Sequence, residues 1–197
     1  MLQHAGWAWS RWVLPFVGFA MLVATPRAGA AQVISPNIAV TLGARKNTVL
    51  SVSVLSGGVQ SITTLVDGTV NAFPSPVRLQ TTWDLNPGQT GSVELVAFFT
   101  DPSGALVAGP GARIASSRVE GRVATGLPVS FAPFAGGAIG GIGTAGATLR
   151  LFSVRITGIN QEATRTDELN LRLNLTGQPN LPIGTYTGTL YIRAVTL

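Results

Sequence analysis

The chain has 197 residues, with 13 lysines and arginines, eight acids, one histidine and no cysteine. The histidine, His4, lies near the N-terminus, so residues 31–197 lack the two side chains from which zinc and copper sites are mostly built. The lack of histidine there also excludes a serine hydrolase of the usual kind, which needs an imidazole base. We therefore expect no cofactor and no enzymatic activity.

The first thirty residues have the pattern of a secretory signal peptide. A single arginine precedes an apolar run over residues 13–24, which is shorter than a membrane-spanning helix. The small side chains of Ala28 and Ala30 fit the rule of signal peptidase and predict cleavage after Ala30, with Ala31 as the second choice. Residues 1–30 are thus predicted to meet the membrane only during export, and the protein is expected to be secreted, periplasmic or at the cell surface. An uncleaved amphipathic anchor is the alternative.

The rest of the chain consists of short segments rich in β-branched residues, separated by turn signals. Gly57-Gly58, Asp67-Gly68 and residues 101–104 predict hairpin turns between successive strands, because glycine accepts positive φ and aspartate favours turns. Residues 135–147 are glycine-dense and residues 159–167 are polar, so both are predicted as loops. The predicted strands span residues 49–55, 59–66, 69–73, 77–85, 91–100, 105–108, 118–124, 148–158, 169–175 and 184–197.

The strongest single pattern is the alternation of Leu169, Leu171, Leu173 and Leu175 with polar residues. A period of two places all four leucines on one buried face of a strand. We expect the strand from residue 184 onward to lie next to this one. Ten short strands with hairpin turns predict that residues 31–197 form a single antiparallel β-sandwich, immunoglobulin-like or pilin-like, with a small barrel as the alternative.

Two groups of residues are candidate ligand sites. Trp83 beside Asp84 could form a sugar-binding platform, although a tryptophan in a strand is more often a core residue. Glu162, Asp167 and Glu168, in the polar segment, are candidate calcium ligands. Their spacing differs from that of regular calcium loops, and a solvated hairpin loop is the competing interpretation.

Two further features carry little functional weight. Residues 141–146 match the glycine pattern of dinucleotide sites, but that motif requires a strand before it and a helix after it, and the surrounding sequence predicts neither. The basic residues are spread from Arg45 to Arg193 and are not gathered on one segment, so we expect no nucleic-acid partner.

The C-terminal segment, residues 181–192, reads Leu-Pro-Ile-Gly-Thr-Tyr-Thr-Gly-Thr-Leu-Tyr-Ile. It resembles the final strand of secreted bacterial β-sandwich proteins of the spore coat U and fimbrial-like type, whose usual cysteines are missing here. The resemblance implies an exported structural or surface protein, such as a pilus or coat subunit or an adhesion module, with other subunits or surface polysaccharide as partners. A small carbohydrate-binding module is the alternative, and a glycosidase using two carboxylates is the third hypothesis.

Overall fold

The computed structural model describes residues 48–178 and 180–197, so the predicted signal peptide and its cleavage site lie outside the described residues. The chain there is all-β and its sheets are antiparallel. One short 3₁₀ helix (Ser116–Arg118) precedes the seventh strand. The strands are β1 (Val49–Ser56), β2 (Val70–Ala72), β3 (Val77–Asp84), β4 (Gly91–Phe98), β5 (Leu106–Ala108), β6 (Ala112–Ile114), β7 (Val119–Val123), β8 (Ala132–Pro133), β9 (Thr148–Ile156), β10 (Glu162–Asn174) and β11 (Tyr191–Thr196).

The longest strand, β10, organises the larger sheet, whose order is β1-β3-β10-β7-β8. Along one edge β10 pairs first with β3 and then with the short β2, and along its other edge it pairs with β7. A second sheet has the order β11-β4-β9, and β5 and β6 form a separate hairpin. Both larger sheets contribute side chains to one shared hydrophobic core.

The leucine alternation in β10 is confirmed. Leu169, Leu171, Leu173 and Leu175 are all buried, and they belong to the shared core. The residues between them point to the opposite, wetter face of the sheet, as a period of two requires. This strand therefore supplies the core with leucines along half of its length.

Three predicted pairings differ in the structure. Residues 59–66 form no strand, and β1 pairs with β3 instead. At the end of this segment the Asn71 amide accepts from the backbone N–H of Val66 at 2.8 Å and donates to its carbonyl at 3.0 Å. The return strand after residues 101–104 pairs with β6, since both edges of β4 are already occupied by β9 and β11. The final strand begins only at Tyr191 and pairs with β4 in the second sheet, away from β10.

The polar segment 159–167 was wrongly predicted as a loop over most of its length. Strand β10 begins at Glu162, and Thr164 faces outward, where its hydroxyl lies 3.0 Å from that of Thr82 on β3. The inward positions are also polar here, because an ion pair between Arg165 and Asp167 occupies them. Because polar residues occupy both faces, this part of β10 lacks the alternation of apolar and polar residues that predicts a strand.

The glycine-rich segment 135–147 packs on the outer face of the second sheet. Ile142 is buried there in a small cluster with Val96, Phe98 and Val195. The backbones of Ile139 and Ile142 exchange two hydrogen bonds of 2.8 and 2.9 Å, which closes a tight turn. Gly143 has a φ of 93°, and a Cβ there would lie 2.3 Å from the Thr148 hydroxyl, so the position requires glycine. The segment therefore forms a packed cover over the sheet, and Gly143 allows its close approach to Thr148.

Candidate interaction groove

Trp83 is a core residue. Its side chain is 3% exposed, its ring packs 6.4 Å from that of Phe152, and its indole N–H donates to the carbonyl of Asn160 at 2.9 Å. A sugar platform needs an exposed ring face, and this ring presents none. The neighbouring Asp84 is exposed at the end of β3. The structure therefore does not bring the predicted sugar-binding pair together at the surface.

The three candidate calcium ligands do not converge. Asp167 points inward and pairs with Arg165, whose Nε lies 2.7 Å from the carboxylate. Glu168, the next residue, points outward and pairs with Arg78 at 3.2 Å. Glu162 is exposed at the start of the same strand. In the part of the chain that the structure describes, no group of three or more acidic, His or Cys side chains could hold a metal ion.

Asp167 lies where β7 leaves the edge of β10. The hydroxyl of Thr125 donates to its carboxylate at 2.8 Å, and Arg165 also donates to the backbone carbonyl of Thr125. The guanidinium of Arg165 lies 4.8 Å from the centre of the Phe152 ring. The Arg165–Asp167 ion pair therefore lies along the part of the β10 edge that β7 does not cover. The Asp167 carboxylate is almost completely buried there.

Two further buried carboxylates lie elsewhere in the described fold. Glu94 on β4 accepts hydrogen bonds from the hydroxyls of Ser92 and Ser153 at 3.0 and 2.7 Å, and Arg150 lies 2.8 Å from its other oxygen. Glu94 was not predicted as a site residue, because one of the two serines that bind it, Ser153, lies on another strand, β9. An acid within an otherwise apolar strand was the only signal in the sequence.

Glu120 on β7 is held in the same way on the outer face of the larger sheet. Arg172 and Asn174 of β10 donate to its two oxygens at 2.5 and 2.8 Å. The guanidinium groups of Arg172 and Arg122 lie over the ring of Phe131, 4.1 and 4.9 Å from its centre. Glu94, Glu120 and Asp167 are thus each neutralised by an arginine of their own.

Asp101 shows how the turn before β5 is stabilised. The hydroxyl and backbone N–H of Ser103 donate to its carboxylate at 2.7 and 2.8 Å, and Arg113 lies 2.8 Å away. These hydrogen bonds, with a smaller effect from the positive charge of Arg113, lower the pKa of Asp101 below its usual 3.8. This acid therefore has a turn-forming function.

The glycine pattern at residues 141–146 does not begin a helix. It lies in the cover over the second sheet and is followed by strand β9. A phosphate site of the dinucleotide type needs the N-terminus of a helix at this point. The pattern therefore serves packing in this fold.

A groove of about 840 Å³ lies at one end of the shared core. Two segments without regular structure, residues 57–65 and 181–190, form its walls, and the core residues Leu171, Leu173 and Ile192 contribute to its floor. The groove is at the end of β1 near Val54 and is remote from Val49, where β1 begins.

Hydrogen bonds within each segment, and one backbone pairing with β5, hold the two walls. In the first wall, the Gln60 amide donates to the Gly57 carbonyl at 2.8 Å. In the second, the Tyr186 hydroxyl donates to the Pro182 carbonyl at 2.8 Å, and Thr187 exchanges backbone hydrogen bonds of 2.8 and 3.1 Å with Val107. The segment that resembles a final strand thus forms mainly a groove wall.

The rim of the groove carries exposed apolar residues among polar ones. Val59 is 93% exposed, Ile183 is fully exposed, and Val54 is exposed on the last part of β1. Single exposed apolar residues are ordinary, but several around one concave surface indicate a contact site. Among the described residues this groove is a candidate interaction surface, and no prediction from the sequence located it.

No helix within the described residues is long and apolar enough to cross a membrane. Comparison of the chain with protein-family models, curated protein sequences and solved structures finds no match.

Proposed function

We propose that the chain is an exported, non-enzymatic structural or surface protein, acting as a pilus-type or coat-type subunit or as an adhesion module. Its fold in this proposal is an antiparallel β-sandwich of immunoglobulin-like or pilin-like type. The shared core between the two antiparallel sheets supports the sandwich. The signal-peptide pattern of residues 1–30 supports export, and the resemblance of residues 181–192 supports a place among secreted β-proteins.

One observation carries the non-enzymatic part of the proposal: the buried acids are used for structure. Glu94, Glu120 and Asp167 are each bound by an arginine and by further hydrogen bonds, at three different places in the fold. A catalytic acid or base at neutral pH needs its pKa shifted toward the working pH. The pKa of Asp101 is instead lowered, away from neutral pH, by hydrogen bonds from Ser103.

The carbohydrate-binding alternative depended on an exposed Trp83, and burial of that ring removes its support. Other protein subunits and surface polysaccharide remain the proposed partners, and the proposed location is the periplasm, the cell surface or the medium. An aromatic platform is not required for either partner, since strand edges and polar sheet faces also bind polypeptides and glycans.

The test is to express the full chain in a bacterial host and treat intact and lysed cells with protease. We expect a protein of mature length in the periplasmic, surface or medium fraction, with protease cleavage in intact cells where it lies on the surface, and we expect gel filtration of the released protein to show assemblies or attachment to surface polysaccharide. The control replaces both Ala28 and Ala30 by aspartate, which blocks the small-residue cleavage site and should retain the precursor. A precursor-length protein that resists protease until lysis, or turnover of a glycoside substrate, would contradict the proposal.

A further inference from the structure

The outer face of the larger sheet carries two arginines that share one aromatic ring. The guanidinium groups of Arg172 on β10 and Arg122 on β7 lie 4.1 and 4.9 Å from the centre of the Phe131 ring. Arg172 lies opposite Glu120 in the strand pairing, and Arg122 lies opposite Asn170. The two arginines are therefore diagonal neighbours on one face, and the ring holds their positive charges close together.

The acid in this cluster neutralises only one of the two arginines. The Nε of Arg172 donates to Glu120 at 2.5 Å. Among the described residues, no acid forms an ion pair with Arg122, and its buried Nε has no hydrogen-bond partner there. The next acid along this face of β10 is Glu168, which is paired with Arg78. The cluster therefore retains one positive charge.

The setting of Arg122 favours an anionic ligand. A guanidinium that is partly withdrawn from water attracts an anion more strongly than an exposed one, because the local dielectric constant is lower. Its planar fork matches a carboxylate, to which it can donate two parallel hydrogen bonds. The Arg172 side chain is 30% exposed, and Arg122 and Phe131 are half-buried, so a ligand can approach the cluster from solvent.

The position of the cluster excludes an added peptide strand as the ligand. A polypeptide that extends a sheet pairs with an exposed strand edge. Both edges of β10 are occupied at this point. Strand β7 pairs with residues 169–173 on one side, and on the other side β3 and β2 pair with β10 while the Phe73 N–H donates to the Leu171 carbonyl at 3.1 Å. A ligand at Arg122 must therefore be recognised by the side chains of the sheet face.

The side chains around the cluster are suited to sugar hydroxyls. Asn170 and Asn174 lie on the outer face of β10, on either side of Arg172, and both are half-buried. An amide side chain offers donors and an acceptor to hydroxyl groups. Farther along the same face, Thr164 and Thr166 are exposed. The face thus combines one uncompensated charge with several uncharged groups that hydrogen-bond to hydroxyls.

We propose that the outer face of β7 and β10 binds an acidic polysaccharide. Arg122 holds the carboxylate of a uronic acid unit, and the neighbouring Asn170 binds its hydroxyls. Phe131 and Arg172 position the Arg122 guanidinium and add to the positive potential. This inference rests on the proposed function and deepens it, because it names the class of surface polysaccharide and the residues that bind it.

The test is calorimetric binding of the purified exported protein to polygalacturonate and to alginate, two polysaccharides that carry carboxylates, at low ionic strength to limit screening. Methyl-esterified polygalacturonate has the same sugar chain without the charge, and poly-glutamate has the carboxylates without the sugar. We expect binding to the acidic polysaccharides, and binding about tenfold weaker or less to the ester and to poly-glutamate, because each lacks one half of the recognition.

Four variants locate the site. Arg122→Gln removes the charge, and Arg122→Lys keeps the charge but loses the planar fork. Phe131→Leu releases the two guanidinium groups without changing the charge, and it also serves if the Arg122 variants fold poorly. The matched control is Arg155→Gln, which removes the same charge from an exposed position on β9 in the second sheet.

We expect Arg122→Gln to weaken binding about tenfold, since a hydrogen bond between charged groups typically contributes about that much, and Arg122→Lys and Phe131→Leu to weaken it less. Binding by Arg155→Gln should change by less than about twofold. The fluorescence of buried Trp83 and light scattering establish folding and mass for every variant.

Three results would overturn the inference. The first is that neither acidic polysaccharide binds, and the second is that Arg122→Gln and Arg155→Gln weaken binding equally, which would show an effect of net charge alone. The third is that poly-glutamate binds as tightly as the polysaccharides, which would make the ligand an acidic polypeptide. Conversely, a precursor that is not exported but whose purified form binds polygalacturonate through Arg122 would contradict the surface location and leave the binding site intact.

Discussion

The small cluster beneath the glycine-rich cover allows a quantitative prediction. Ile142 is 2% exposed and packs against Val96, Phe98 and Val195. Truncating a buried isoleucine to alanine typically costs about 2–5 kcal/mol. This cluster is small and lies near the surface, where the segment can partly collapse into the space. We therefore expect Ile142→Ala to lower the free energy of unfolding by about 2–3 kcal/mol.

In a domain of this size each kcal/mol shifts Tm by about 2–4 °C, so the expected loss is roughly 4–12 °C. The assay is thermal and urea unfolding of the exported protein, followed by Trp83 fluorescence. Ile159→Ala is the matched control, because Ile159 is 97% exposed and its truncation should change stability by no more than about 0.5 kcal/mol. Equal, small effects of the two substitutions would refute the assignment of the glycine-rich segment to the folded core.

Three further outcomes are expected. Asp167→Asn should destabilise the protein by about 2–3 kcal/mol in urea unfolding because it leaves a partly buried arginine without its partner, whereas Glu168→Gln, in an exposed pair, should cost less than about 1 kcal/mol. Ser103→Ala should raise the pKa of Asp101 toward 3.8 in an NMR titration, because the hydroxyl hydrogen bond that lowers it is lost. Since the folded-state pKa is depressed, the stabilisation from Asp101 should be present above the unfolded value and lost as the pH falls through the lower folded value, and the variant should show a smaller loss. N-terminal sequencing of exported protein should begin at Ala31 or one residue later, and an intact initiator methionine would contradict cleavage.

The local pattern was sufficient where one face of a strand is wet and the other dry. Leu169–Leu175 is such a case, and the strands at residues 49–56, 77–84 and 91–98 were also predicted close to their observed bounds. Turn signals were less informative about pairing. A glycine pair permits the chain to reverse, but it does not determine whether the following residues return to the same strand.

Side-chain roles depended on contacts between residues far apart in the chain. Trp83 is buried because Phe152 lies against its ring and because its N–H bonds to the carbonyl of Asn160, 77 residues later. Glu120 and Arg172, on neighbouring strands of the sheet, are 52 residues apart. No period or motif in the sequence predicts contacts between residues so far apart. Residues that were candidates for ligand binding therefore stabilise the fold instead.

By itself, the sequence determined the all-β class, the inward face of the leucine-bearing half of β10 and the absence of Cys and His chemistry after residue 30, because composition and period-two alternation act locally. Tertiary structure alone decided which strands pair, which acids are neutralised, and that residues 57–65 and 181–190 form groove walls. The physical reason is that the edges of β4 and β10 accept whichever strands pack best across the shared core, and hydrogen bonding and burial between distant segments make that choice.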